Sequence, residues 1–175
     1  ATSAVNLDLD GDGVVDTRIN LLRFYESGRS GAGLFSSTHP GFALSITMIN
    51  PLSRGKITCE DGRCIVGPGY LDENYDKEFL KKALIFTTNL LKKEQLSGFV
   101  DSIYSHDEII NDTGGFIEKN VFSGYHLIGG CADLVESDFS VKGLPGLYVC
   151  DASVLSEFPA SNIHSTVVLL ADLFG

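Results

Sequence analysis

Residues 123–175 read SGYHLIGGCADLVESDFSVKGLPGLYVCDASVLSEFPASNIHSTVVLLADLFG. A histidine, His126, leads into a Gly129-Gly130-Cys131 turn. A tight turn at Leu144-Pro145-Gly146 precedes an apolar run, Leu147 to Cys150, which reads as a strand ending on Asp151-Ala152-Ser153. Pro159-Ala160-Ser161-Asn162 then stands before the apolar run Val167 to Phe174, which reads as a helix. Asn162 is of the residue type that caps such a helix.

Upstream of this strand-helix pair the signals are those of antiparallel strands and separate helices. Arg18 to Phe24 and Phe42 to Asn50 read as strands, the second alternating Phe42, Leu44, Ile46 and Met48 with smaller or polar neighbours. Ser27 to Gly41 is a Gly- and Ser-rich loop. Asp61-Gly62 is the strongest two-residue hairpin signal and joins Lys56–Thr58 to Ile65–Val66. Asp76, read as an N-cap, opens a long helix with Phe79, Leu80, Ala83, Leu84, Leu90 and Leu91 at mostly helical spacing. Lys81, Lys82, Lys92 and Lys93 would form its solvated face. Ser105 with Glu108 has the form of a capping box for a short helix, and another helical turn or two follows around Phe116 to Phe122. The expected fold is α+β: an antiparallel sheet with helices on one face, plus the C-terminal strand and helix. The chain divides into an acidic loop (1–16), a sheet-and-helix body (17–122) and the C-terminal segment (123–175).

At 175 residues the chain can bury a core of its own, and 43% hydrophobic content excludes disorder. No apolar run is long enough to span a bilayer. A net charge of −10 argues against nucleic acid as a partner. The chain begins without Met and is expected to be a processed or trimmed piece.

Across the Asp61-Gly62 turn, Glu60 would face Arg63 and Cys59 would face Cys64 as a non-hydrogen-bonded pair, where side chains approach most closely. Two readings stand: a cross-strand disulfide, implying a secreted or organellar setting, or two reduced thiols on an exposed hairpin. Cys131 and Cys150 lie among small and apolar residues and read as buried thiols.

Asp8-Leu9-Asp10-Gly11-Asp12-Gly13-Val14-Val15-Asp16 has carboxylates at positions one, three, five and nine, a backbone carbonyl (Val14) at seven and a glycine at six. That spacing can wrap one Ca²⁺, although position twelve is Ile19 rather than the bidentate Glu of an EF-hand. A solvated acidic loop is the alternative. The ligands of the metal reading are Asp8, Asp10, Asp12, Val14 and Asp16.

Five motifs in order carry a family resemblance. Val15-Asp16-Thr17-Arg18-Ile19-Asn20-Leu21 is similar to a Pro-Asp strand, with Val15 where proline is usual. Asn50-Pro51-Leu52-Ser53-Arg54-Gly55 is similar to a proline-x-serine-x-glycine signature. Tyr70-Leu71-Asp72 precedes a helix, and the His126 and Asp151–Asn162 segments complete the series. Together they resemble the C-terminal part of the glucose-methanol-choline (GMC) flavoprotein oxidoreductases, from about Asp16 to Gly175. The resemblance implies that His126 is the active-site histidine and that Asn162 holds the paired position. Hydride leaves an alcohol carbon readily only if the hydroxyl proton is taken, which an imidazole can do. An amide such as Asn162 can position the oxygen. Asp151, Ala152, Asn162 and His164 would contact FAD, and the N-terminus of the last helix would favour a reduced, anionic flavin ring. The terminal strand and helix would thereby complete an FAD-binding domain.

The sequence departs from the family at Gly129-Gly130-Cys131-Ala132-Asp133-Leu134, where Gly-Thr-Cys-Arg-Met-Gly is usual. It also has no GxGxxG unit for the ADP half of FAD. The chain alone is therefore not expected to be active. FAD would be shared with an N-terminal FAD-binding segment or chain, and the substrate would be a small-molecule alcohol. Two alternatives stand beside the oxidase or dehydrogenase: a non-redox lyase that keeps FAD, and a GMC-derived structural subunit of a larger assembly. Taken alone, His126 reads as a core histidine bonded to a backbone carbonyl.

Overall fold

In the computed structural model, which describes residues 3–22 and 41–175, strand β2 (Thr17–Leu22) is the centre of a three-stranded antiparallel sheet. Its neighbours are β1 (Ser3–Leu7) and β3 (Ala43–Met48). Ile19 faces Val5 on one side and Ile46 on the other, so three β-branched residues line up across the sheet. Thr17 and Ile19, two residues apart on one face, are both buried. β1 was not expected from the sequence: Ser3–Leu7 has only three apolar residues, and its pairing with β2 is what makes it a strand. Arg23, Phe24, His39 and all of the Ser27–Gly41 loop except Gly41 lie outside the described residues.

Helix α1 (Asn74–Leu91) buries Asp76, Phe79, Ala83 and Thr87, one stripe at helical spacing. Thr87 and Thr88 are buried with their hydroxyls satisfied, since these donate to the Ala83 and Leu84 carbonyls one turn back, each at 2.8 Å. α1 packs against β3 and against α3 (His106–Asn111) and α4 (Thr113–Asn120); the short α2 (Glu94–Ser97) follows it directly. Lys82, Lys92 and Lys93 are exposed as expected, while Lys81 is half-buried and pairs with Glu78 at 2.7 Å. The class is α+β.

Two capping assignments are corrected. Asp76 is not the N-cap of α1, since Glu73 holds that place. Asp76 sits in the first turn and turns out of the helix, where its two carboxylate oxygens accept the Leu52 and Ser53 N–H groups, each at 2.8 Å. Ser53 Oγ in return accepts the Glu73 N–H at 3.0 Å. The Pro51–Ser53 segment and the start of α1 are thus fastened to each other in both directions. Ser105 is left-handed (φ 55°) and makes no side-chain cap, and Glu108 reaches Lys119 at 2.9 Å instead. The working cap nearby is Asp112, which accepts the Gly115 N–H at 2.9 Å and starts α4.

These elements belong to one compact unit, residues 3–22, 41–53 and 70–122. A second unit contains residues 54–69 and 123–175. In it, β4 (Lys56–Glu60) and β5 (Arg63–Gly67) form the expected hairpin, with Glu60 opposite Arg63 and Cys59 opposite Cys64. Asp61 (φ 50°) and Gly62 (φ 73°) give the doubly left-handed turn that an Asp-Gly pair favours. Gly55 explains the last position of the Pro-x-Ser-x-Gly signature. A Cβ there would collide with the Gly67 carbonyl oxygen and lie 2.7 Å from the Pro68 backbone, which cannot move aside as a side chain can.

The Leu147–Cys150 segment takes a single bridge, Tyr148 to Ser140, rather than a full strand. Its backbone is held by Val141 N–H to Leu147 C=O (2.9 Å) and Val149 N–H to Phe139 C=O (3.0 Å). A strand needs a neighbour along its length, and here the neighbour is its own preceding turn. Helix α5 spans His164–Phe174. Phe174 packs edge-on against Phe139 (5.8 Å) and Tyr148 (5.6 Å), and the Cys150 thiol donates to the Leu170 carbonyl at 3.6 Å. Cys131 and Cys150 are half-buried rather than buried.

Candidate functional site

His126 stands in an irregular stretch after α4, with its side chain exposed. The residue before it, Tyr125, has φ 61°, a left-handed conformation that costs a non-glycine residue roughly 1–3 kcal/mol. The Tyr125 N–H donates to Ser123 Oγ at 2.9 Å, which helps hold that conformation. Strain of this kind concentrates at functional sites. No pattern in the sequence marks Tyr125, because nothing local requires a positive φ there.

The chain then enters the Gly129–Leu134 turn, closed by Ala132 N–H to Gly129 C=O (3.2 Å) and Leu134 N–H to Cys131 C=O (2.9 Å). The Cys131 N–H donates to the Ser153 carbonyl at 2.9 Å. That bond fastens the His126 motif to the Asp151 motif. A 3₁₀ turn, Ala152–Val154, follows Asp151, whose Oδ1 accepts the Ser153 N–H at 2.8 Å. The Asp-x-Ser spacing was a readable signal of this local cap.

The Ser153 hydroxyl, and after it the Ser153 N–H, hold the Asp151 carboxyl below the ordinary aspartate value. A lowered folded-state pKa contributes stability that is present above the unfolded value and is lost as pH falls through the folded one. Ser153→Ala removes the larger cause. The Asp151 carboxyl is then expected to titrate at higher pH, and the turn to loosen earlier on acidification. Carbon-13 titration of the Asp151 carboxyl reads this directly, and an unchanged titration would show that the hydroxyl does not matter.

Asn162 is exposed and lies one residue too early to cap α5, whose N-cap residue is the buried Ile163. This corrects the capping expectation. No side chain caps α5, so its first-turn N–H groups and positive dipole end are left to other partners. His164 is the first residue of the helix and is exposed. Among the described residues, the side chains of His126, Asn162 and His164 make no hydrogen bond. The structure therefore ties His126's loop to Asp151 and Ala152 through the Cys131–Ser153 bond, but no bond joins His126 to Asn162. One exposed imidazole, one exposed amide and an uncapped helix N-terminus within one unit suit a proton acceptor, a hydrogen-bond donor and an electron-rich ligand edge.

The acidic loop lies in the other unit. Carboxylate oxygens of Asp8, Asp10 and Asp16 come within 4.8 Å of one another. Asp8 accepts the Gly11 N–H (2.6 Å) and Gly13 N–H (2.8 Å), and the Gly13 bond, followed by the Gly11 bond, lowers its pKa. Asp16 Oδ2 accepts the Leu9 N–H at 2.9 Å. Asp12 is outside the three-carboxylate group and accepts the Val14 N–H at 2.8 Å. A cavity of about 320 Å³ beside the loop is lined by Asp10, Asp12, Asp16, Met48, Tyr75 and Phe79, among others, and by none of the residues around His126.

Comparison with known proteins gives one family. The family model described as GMC oxidoreductase matches residues 51–171. The chain is 29% identical over 154 residues to pyridoxine 4-oxidase of Microbacterium luteolum, covering 80% of this chain and 30% of that protein. It is 27% identical over 143 residues to pyranose dehydrogenase of Agaricus campestris (73% and 24%). It is 27% identical over 150 residues to alcohol dehydrogenase [acceptor] of Pseudomonas putida (75% and 26%). The chain thus spans under a third of the length of these relatives. Among the described residues, no helix is long and apolar enough to cross a membrane.

Proposed function

The chain belongs to the GMC oxidoreductase family, and from that premise we propose that it forms the C-terminal, substrate-binding part of an FAD-dependent enzyme that oxidises a small-molecule alcohol. FAD supplies the hydride acceptor. The ADP half of the cofactor would be held by a nucleotide-binding segment outside the sequence described. His126 accepts the hydroxyl proton as the carbon–hydrogen bond breaks. Asn162 donates an amide hydrogen to the alcohol oxygen and orients it. Asp151, Ala152, Asn162, His164 and the uncapped N-terminus of α5 form the cofactor-facing surface.

The observation that carries this reading is the Cys131–Ser153 bond. It holds the loop bearing His126 against the Asp151–Val154 turn, so two motifs distant in sequence occupy one unit. The strained Tyr125 beside His126 adds support. The test is an anaerobic mixing experiment on the enzyme that contains this chain. Alcohols should bleach the visible flavin spectrum, whereas cyanohydrins should be turned over without bleaching if the lyase alternative holds. A preparation carrying no flavin would overturn the proposal and leave the structural-subunit reading.

A calcium ion held by Asp8, Asp10 and Asp16 is a second element of the reading, supported by the convergence of their oxygens. Bound ligand stabilises the folded state by mass action. Millimolar Ca²⁺ is expected to raise the melting midpoint of the wild type and not of Asp10→Ala, which removes a ligand oxygen outright, with Tb³⁺ luminescence reporting occupancy. Equal midpoints with Ca²⁺ and with chelator would remove the metal from the account.

A further inference from the structure

We propose that Cys59 and Cys64 are a reversible dithiol–disulfide site at the tip of the β4–β5 hairpin, a covalent modification site that does not depend on the oxidoreductase reading. The two are direct cross-strand partners, one step inside the Glu60–Arg63 pair that closes the turn. Because the closing pair is the hydrogen-bonded one, the next pair is non-hydrogen-bonded, with Cα atoms typically about 4.5 Å apart. That separation falls within the range a disulfide spans, so bridging needs no backbone rearrangement. The two-residue Asp61-Gly62 turn pins the register, so the sulfurs cannot slip past each other. Both residues are exposed and are free thiols here, so an oxidant can reach them. Cys131 and Cys150 are half-buried and serve as internal comparisons.

The oxidant is a low-molecular-weight disulfide. One thiolate, for instance that of Cys59, attacks it, forming a mixed disulfide and releasing one small thiol. The Cys64 thiolate then attacks the Cys59 sulfur; the protein S–S bond forms and the second small thiol leaves. Two electrons pass from the protein to the small disulfide, and the two protons leave with its thiols. Ile57 and Cys59 share a face of β4, and Ile57 Cδ1 lies 3.3 Å from where a Gly130 Cβ would stand. Closure therefore stiffens the strand that lies against the Gly129–Cys131 turn.

The experiment treats the full chain with oxidised glutathione, blocks remaining thiols with N-ethylmaleimide and maps the tryptic peptides. Trypsin cleaves after Lys56, Arg63 and Lys77, so the bridge appears as peptides 57–63 and 64–77 joined. The expected result is an intact mass lower by about 2 Da before blocking, with two labels instead of four, and return to four after dithiothreitol. Cys59→Ser and Cys64→Ser should each retain one glutathione on the remaining partner. Stable glutathione on both Cys59 and Cys64 of the wild type, a bridge involving Cys131 or Cys150, or four unchanged thiols would each overturn the proposal.

Discussion

His126→Ala, introduced into the flavin-containing enzyme, is expected to slow flavin reduction by alcohol about 10²–10⁴-fold, the range associated with loss of a positioned general base. The effect should fall on the reduction step rather than on substrate binding, because the proposed role is realised only as the carbon–hydrogen bond breaks. The exposed position of His126 also means that its removal should leave the fold intact, so thermal stability should hardly change. Added imidazole should restore part of the rate, since the space vacated opens to solvent. Stopped-flow absorbance under anaerobic conditions measures the step alone. A rate within about threefold of the wild type would remove His126 from the chemistry.

Asp76→Ala should have the largest effect on stability, roughly 2–4 kcal/mol. Asp76 is 2% exposed, and both of its oxygens are committed to the backbone N–H groups of Leu52 and Ser53. Alanine leaves both donors without their acceptor and opens a space beneath the start of α1. For a chain of this size the melting midpoint should fall by roughly 5–10 °C. Asp76→Asn keeps the shape and one good acceptor, so about half the loss is expected. Thermal unfolding followed by circular dichroism compares the three proteins. Equal midpoints for wild type and Asp76→Ala would show that the clamp does not support the fold.

The expectations that survived are those set by neighbouring residues. The Asp61-Gly62 turn dictated the hairpin register down to the Cys59–Cys64 pair, because a two-residue turn leaves no freedom of alignment. The period-two pattern of Phe42 to Asn50 located β3, and the apolar run before Phe174 located α5. The capping assignments fared worse. Asp76, Ser105 and Asn162 all have the residue type of a cap, and none caps through its side chain. A cap requires a particular backbone geometry and a side chain not claimed elsewhere. Ser105 lacks the first, and Asp76 is claimed by Leu52 and Ser53. Leu147 to Cys150 failed as a strand for a related reason: apolar, branched composition makes a strand only where a neighbour supplies the other half of the ladder.

The sequence by itself determined the α+β class, the hairpin, the main strands and helices, and the order of motifs that marks the family, since these follow from turn chemistry, periodicity and residue type along short stretches. Tertiary structure alone decided that Ser53 and Asp76 fasten an extended segment to the start of a helix across twenty or more residues of chain. It alone joined Cys131 to Ser153, gathered residues 54–69 with residues 123–175, and placed Tyr125 in a left-handed conformation beside His126. Such pairings depend on which distant groups are left to satisfy buried donors and acceptors once the chain has packed, and no local preference encodes that.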